Sequence, residues 1–242
     1  MKNNGAPHVT STVADIFRQA AELIANDPHR RGNLVHLEAP RRVVISGDIH
    51  GNRRNLTRIL SHVSSGGQDR PTLILQEIIH GAPDPRSGCD RSVELMLRAV
   101  RAKIANPERV YFLMGNHDLA QIVGSEITKG GHEVCESFVE GVNFCFGDAG
   151  GDVLEAVLEF CRSLPLAVLF ENGVQASHSL PSPDRTDLAG VDILNRPYQD
   201  GDFTRGGPAY EWTWGRNQTP EQLDELAEKL GVEFFVLGHR HL

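Results

Sequence analysis

The chain has 242 residues, 40% of them hydrophobic, enough apolar content for one large α/β domain, which we favour over two small ones. Its 24 basic and 32 acidic residues leave a formal charge of −8, which disfavours a protein that grips nucleic acid by neutralising phosphates. The four cysteines form no Cys-x-x-Cys pair, no charged amino-terminal segment leads into a long apolar stretch, and no apolar run nears the ~20 residues of a membrane span, so a soluble cytoplasmic chain with reduced thiols is expected.

Residues 11–26 place Val13, Ile16, Phe17, Ala20, Leu23 and Ile24 on one helical face, with Ser11 or Thr12 as cap and Asp27-Pro28 as stop. A short strand at 42–46 runs into Ser46-Gly47-Asp48-Ile49-His50-Gly51-Asn52, and a helix over 52–63 follows. Another strand at 72–76 leads to Gln76-Glu77, a helix covers 91–105, and a strand at 110–114 precedes Gly115-Asn116-His117-Asp118. The pattern then gives a helix at 152–162 and strands at 166–170 and 173–177, the second ending on Ser177-His178-Ser179. Residues 179–216 are rich in Pro, Gly, Asp and Arg and read as long loops, with Trp212 and Trp214 spaced to share one face of a strand. A helix over 219–230, opened by Thr219-Pro220, and a strand at 233–237 lead to Gly238-His239-Arg240-His241. Strand and helix alternate, which points to an α/β layered fold.

Ligands in such folds sit at the carboxyl ends of strands, where all four motifs fall. A strand sends residues i and i+2 to the same side, so Asp48 and His50 can converge on one metal ion. The metal-capable residues at strand ends are Asp48, His50, Glu77, Asn116, His178, His239 and His241. Carboxylate, imidazole and one amide oxygen suit Mn, Fe or Zn, whereas calcium takes mostly oxygen and structural zinc mostly sulfur. Seven ligands exceed the needs of one ion but suit two divalent ions sharing a carboxylate, an arrangement that serves in-line displacement at phosphorus.

With these motifs the sequence resembles the calcineurin-like metallophosphoesterases, in particular the bacterial relatives of the Ser/Thr phosphatase branch. That family's motifs run Gly-Asp-x-His, Gly-Asp-x-x-Asp, Gly-Asn-His-Asp/Glu, a lone His and Gly-His-x-His. Four have intact counterparts here: Gly47 to His50, Gly115 to Asp118, His178, and Gly238 to His241. The resemblance implies a β-sandwich flanked by helices rather than a doubly wound parallel sheet. The chain reads as a single domain over 1–242, with 1–40 as helix and lead-in and 41–241 as the catalytic core that the resemblance covers. Asp48, His50 and His241 would hold the first ion, and Asn116, His178 and His239 the second. His117 would be the general acid, held by Asp118, and a metal-bridging hydroxide the nucleophile. A phosphorylated substrate follows, either a phosphoprotein or a small phosphoester. A symmetrical dinucleoside polyphosphate hydrolase and a catalytically impaired metal- or phosphate-binding homologue are the alternatives.

The second motif departs from the family pattern. Aligning Leu73-Ile74-Leu75 puts Gln76 at the glycine and Glu77 at the bridging aspartate, while a slip of one residue would put Gln76 at the bridge. His80 falls where the phosphatase branch has an aspartate supporting the catalytic histidine. Gly81-Ala82 replaces an Arg-Gly, and an insertion, Pro83 to Cys89, precedes Asp90-Arg91. Arg91 and Arg216, with Asn116, are the candidate phosphate contacts. Leu242 falls one residue after the last motif, where family members continue into further strands, so a truncated sequence with an exposed sheet edge is expected.

Overall fold

In the computed structural model the described residues are 12–65, 67, 70–125, 128–129 and 132–239. Helix α1 (Val13–Ala25) starts at a reciprocal cap, in which the Thr12 hydroxyl accepts the Asp15 N–H and the Asp15 carboxylate accepts the Thr12 N–H. Strands β1 (Arg30–Arg31) and β2 (Leu34–Leu37) follow as an antiparallel pair. The sequence reading leaves both unassigned, because β2 is four residues long and its buried run is broken by exposed His36.

Strand and helix then alternate through β3 (Val43–Asp48), α2 (Arg53–Ser64), β4 (Thr72–Gln76), α3 (Ser92–Ala105), β5 (Val110–Leu113) and α4 (Asn116–Val123). A small hairpin of β6 (Thr128–Lys129) and β7 (His132–Glu133) precedes α5 (Val134–Phe146) and α6 (Gly150–Ser163). The sequence reading also misses α5, whose interior Gly141 lowers its helical signal. That glycine lets the helix pack on the main chain of Asp90, where a Cβ would overlap the carbonyl oxygen. Strands β8 (Ala167–Phe170) and β9 (Val174–Ser177) come next, then α7 (Thr186–Ala189), α8 (Pro208–Trp214), α9 (Pro220–Leu230) and β10 (Phe234–Leu237).

The stretch expected as long loops holds short helical turns at Pro183–Arg185, Asp192–Asn195 and Asp200–Phe203 besides α7 and α8. Elements of three to seven residues carry no readable period, and Pro208 opens α8 rather than breaking it. Trp212 and Trp214 therefore lie on a helix, not a strand. Trp212 is buried with its indole N–H donating to the Gly190 carbonyl, and Trp214 stacks on Tyr210.

Two sheets face each other, as the sandwich expectation requires. One is parallel, in the order β3-β4-β5; the other is mixed, in the order β1-β2-β8-β9-β10, with β10 parallel to β9. Side-chain parity separates their two cores. Leu73, Leu75, Val110 and Phe112 turn toward the helices and join Phe17, Ala99, Val100 and Phe160. Ile74, Tyr111 and Leu113 turn the other way and meet Val35, Leu37, Val168, Phe170 and Ala176 of the second sheet. Gln76 has the parity of Ile74, so its side chain enters the space between the sheets at their carboxyl ends. β10 stands at one end of its sheet with Phe234, Val236 and Leu237 exposed.

Phe17 anchors α1 to this body: it is fully buried, with its ring 6.0 Å from that of Phe160 on α6 in an edge-to-face arrangement. Phe17→Ala is expected to cost about 3–5 kcal/mol, read as a lowered urea midpoint with an unchanged slope. A loss below about 1 kcal/mol would show that α1 is not part of the cooperative core.

Candidate functional site

The residues that close the strands are held in an unusual backbone state. His50, Glu77, His80 and His239 all have positive φ, at 42°, 46°, 60° and 61°. Such a conformation costs a non-glycine residue about 1–3 kcal/mol and persists only where the surroundings impose it. Here the loops after β3 and β4 are zipped together: the Glu77 carbonyl accepts the N–H of both Ile49 (2.9 Å) and His50 (2.8 Å), and the Ile78 carbonyl accepts that of Gly51. Gly51 and Gly81 allow the approach, since a Cβ on Gly51 would fall 2.6 Å from the Gly81 Cα. Asp90 fastens the same turn from behind, accepting the N–H groups of Gly81 and Ser92.

Glu77, 2% exposed, lies at the centre of the cluster. Its Oε2 is 3.4 Å from His50 Nε2, and its Oε1 is 3.5 Å from His178 Nε2. The same Oε1 accepts the main-chain N–H of His117 at 2.8 Å. His178 Nε2 also faces Asn116 Oδ1 (3.0 Å) and His239 Nδ1 (3.1 Å). Asp48 Oδ1 stands 3.8 Å from His178 Nδ1 and accepts the main-chain N–H of His239. Two sets of donor atoms fall within 4.8 Å of one another, one from Asp48, Glu77 and His178, the other from His50, Glu77 and His117. Asp48, His50, Glu77, Asn116, His178 and His239 are thus brought together, while His241 lies outside the described residues. Of the two alignments for the bridge, the carboxylate of Glu77 points into the cluster; Gln76 lies behind His178, its Oε1 2.9 Å from Nδ1.

Burial governs the charges. Dehydration, then the neighbouring charge of Asp48, holds the Glu77 carboxyl well above its usual range, and the His117 amide offsets part of this. Burial pushes Asp118 up to about 7. It drives His178 the other way, toward the neutral imidazole, and holds His239 down to about 4 with help from the positive charge of Arg216. Neutral imidazoles among crowded carboxylates make a donor set that fits divalent cations.

His117 is 8% exposed, with its ring 4.6 Å from that of His50. Asp118, expected to hold it, caps its own helix: one oxygen accepts the Gly115 N–H at 2.9 Å, and the other lies 4.0 Å from the Cys161 thiol. The group facing His117 Nδ1 is His80, whose Nδ1 is 2.9 Å away and whose Nε2 meets Gln121 Oε1 at 2.8 Å. Gln121 escapes the sequence reading, although its spacing of four from His117 on a helix was the available signal.

The two candidate arginines part company. Arg216 is close enough for its charge to act on His178 and His239. Arg91 is engaged by Glu94 at 2.9 Å and by Cys145, and lies over the Phe144 ring, between α3 and α5. Trp214 closes the side next to His239, with ring centroids 6.5 Å apart.

Comparison with known proteins identifies the family. The sequence model of the calcineurin-like phosphoesterase family matches residues 41–242. The serine/threonine-protein phosphatase 4 catalytic subunit of Saccharomyces cerevisiae is 25% identical over 95% of this chain and 70% of its own length. Serine/threonine-protein phosphatase 7 of Arabidopsis thaliana is 28% identical over 62% of this chain, and the phosphatase 4 catalytic subunit of Kluyveromyces lactis 28% over 73%. The chain spans only 33% and 49% of those last two relatives. A solved serine/threonine phosphatase from Saccharomyces cerevisiae, with similarity to human phosphatase PP5, superposes with a TM-score of 0.65 over 95% of this chain and 70% of that one, at 19% identity, which speaks for the fold alone. With the family model running from residue 41, just ahead of β3, to Leu242 and through every motif on the strand ends, the chain belongs to the calcineurin-like phosphoesterases, a family of metal-dependent phosphoric ester hydrolases.

Proposed function

We propose that this chain hydrolyses phosphomonoesters in the manner of a Ser/Thr phosphatase, with two divalent ions held at the strand ends. One observation carries the reading: a single buried carboxylate, Glu77, turns one oxygen toward His50 and the other toward His178. That is the posture of a group shared between two cations. Asp48 and His50, with His241 from the last motif, would hold one ion; Asn116, His178 and His239 would hold the other. When bound, such a pair supplies positive charge and an activated water for in-line attack at phosphorus.

The remaining steps belong to the chain. Arg216 and the Asn116 amide orient the phosphate, a guanidinium matching two of its oxygens. His117 gives the proton from its Nε2 to the departing alkoxide, because its Nδ1 side is taken by His80. Asp118 keeps the catalytic turn in shape through Gly115. A phosphoserine or phosphothreonine protein is the substrate class that the names of the relatives support. We read residues 41–241 as the catalytic core of one domain. A cytoplasmic setting accords with Cys89, Cys135, Cys145 and Cys161, all free thiols.

The purified protein should turn over p-nitrophenyl phosphate and a phosphoserine peptide with added manganese and stop when a chelator is present. His117→Asn should lower kcat roughly 10²–10⁴-fold with metal content unchanged. A wild type that carries two metals per chain yet shows no turnover would refute the enzymatic reading in favour of a binding homologue. Nucleoside diphosphate released from a symmetrical dinucleoside polyphosphate at a higher kcat/KM would move the substrate class.

Metal binding should also be visible as stability. A divalent ion at a hundred times its Kd contributes about 2.7 kcal/mol, or roughly 5–10 °C in Tm for a chain of this length. Glu77→Gln should abolish that shift and reduce the bound metal seen by elemental analysis, without lowering the Tm of the metal-free protein, since it removes a buried carboxylate that burial already disfavours. An undiminished metal-induced shift in this variant would exclude Glu77 as the shared ligand.

A further inference from the structure

Gln76 ends β4 with only 2% of its surface exposed, yet every polar atom of its amide is engaged. The orientation of that amide is fixed by a partner with only one possible role. Its Nε2 lies 2.6 Å from the Ser46 carbonyl oxygen, which can only accept, so the NH2 end must face Ser46. The Oε1 end then faces His178 Nδ1 at 2.9 Å, and it too can only accept. His178 must therefore carry its hydrogen on Nδ1. In a neutral imidazole that leaves the lone pair on Nε2, aimed at Glu77 Oε1, Asn116 Oδ1 and His239 Nδ1.

The amide is also held in place by what is missing opposite it. A Cβ on Gly238 would sit 2.5 Å from Gln76 Oε1 and 2.8 Å from its Cδ, so the side chain occupies room that only glycine leaves. Gly238 in turn donates its N–H to the His178 carbonyl at 3.0 Å. One side chain thus touches β3 through Ser46, the turn after β9 through His178, and the turn after β10 that carries His239.

We propose that Gln76 is a positioning residue that fixes the His178 ring with hydrogen on Nδ1 and keeps Nε2 as the donor facing the metal. The proposal rests on the reading of His178 as a metal ligand. Partners of this kind typically change metal affinity 10–100-fold when removed. A glutamine serves better here than a carboxylate, because a carboxylate could not donate to Ser46 and would add a negative charge beside Asp48.

The test has two arms. In long-range 15N–1H spectra of the metal-free wild type, His178 is expected as the Nδ1–H tautomer; hydrogen on Nε2 overturns the proposal, whatever any variant does. Gln76→Leu, close to it in size, should bind zinc roughly 10–100-fold more weakly by calorimetry and populate the Nε2–H tautomer, while Gln76→Glu should keep the Nδ1–H form. Unchanged zinc affinity in a folded Gln76→Leu protein also overturns it. Should that variant not fold, the wild-type spectrum decides alone. A wild type that takes up no zinc at all refutes the metal site itself, and the tautomer measured without metal separates that failure from failure of the Gln76 role.

Discussion

The geometry of the site hangs on Glu77, which acts through its main chain and its side chain at once. Its carbonyl gathers the N–H groups of Ile49 and His50, and so fixes where β3 releases His50. Its carboxylate accepts the His117 N–H, and so fixes where α4 begins relative to β4. To do both, the residue adopts a positive φ that its own side chain disfavours. Gly115 makes the second contact possible, because a Cβ there would fall 2.6 Å from Glu77 Oε1. The parallel sheet brings three strand ends side by side, and Glu77 ties the three turns that follow them into one surface.

That arrangement is unfavourable on its own. Asp48, Glu77 and Asp118 share a dehydrated pocket beside imidazoles that burial keeps neutral, and four residues around it hold strained backbone. A cluster of this kind is maintained only because the fold around it is stable without it. The cores on either side of the parallel sheet supply that stability, one against α1, α3 and α6, the other against the mixed sheet. Stabilising interactions and functional strain are thus separated along the strands, with apolar residues through their middles and the polar cluster at their carboxyl ends. The same separation explains why a cation would be held tightly: it would relieve repulsion that the fold already sustains.

Much of this was legible in the sequence because it follows from short-range patterns. Strands at 72–76, 110–114 and 233–237 are continuous apolar runs, and the helices at 11–26 and 219–230 carry both a period and a cap, so their positions emerge within a residue or two. The metal-capable side chains were legible for the same reason, since each directly follows such a run. What periodicity could not reach was pairing. Whether apolar strands form one parallel sheet or two facing sheets depends on partners more than a hundred residues apart, such as β2 beside β8, and that came only from the motif resemblance. Helices built around a close main-chain contact, as α5 is around Gly141, weaken their own signal to gain the contact. The pairing of Gln76 with His178 was hidden because hydrogen-bond partners 102 residues apart leave no trace in local spacing, whereas the place of His80 behind His117 came from the motif resemblance.

The second motif, where the sequence departs most from its family, is therefore informative in a way that a bare comparison of motifs is not. An altered motif in a decaying site would be expected to leave buried polar groups without partners, because nothing maintains them once function is lost. Here the three altered positions are among the most buried polar residues of the protein, at 2%, 2% and 1% exposure for Gln76, Glu77 and His80. Each is satisfied, and each by a residue of another motif: Gln76 by His178, Glu77 by the His117 amide, and His80 by the His117 ring. The replacements fit one another as well. A longer carboxylate at 77 reaches across the cluster from a strained turn, an amide at 76 steadies the imidazole that the carboxylate faces, and an imidazole at 80 takes the place behind His117. Changes that interlock through three separate strand ends indicate a site rebuilt around a different set of hydrogen bonds rather than one that has lost its purpose.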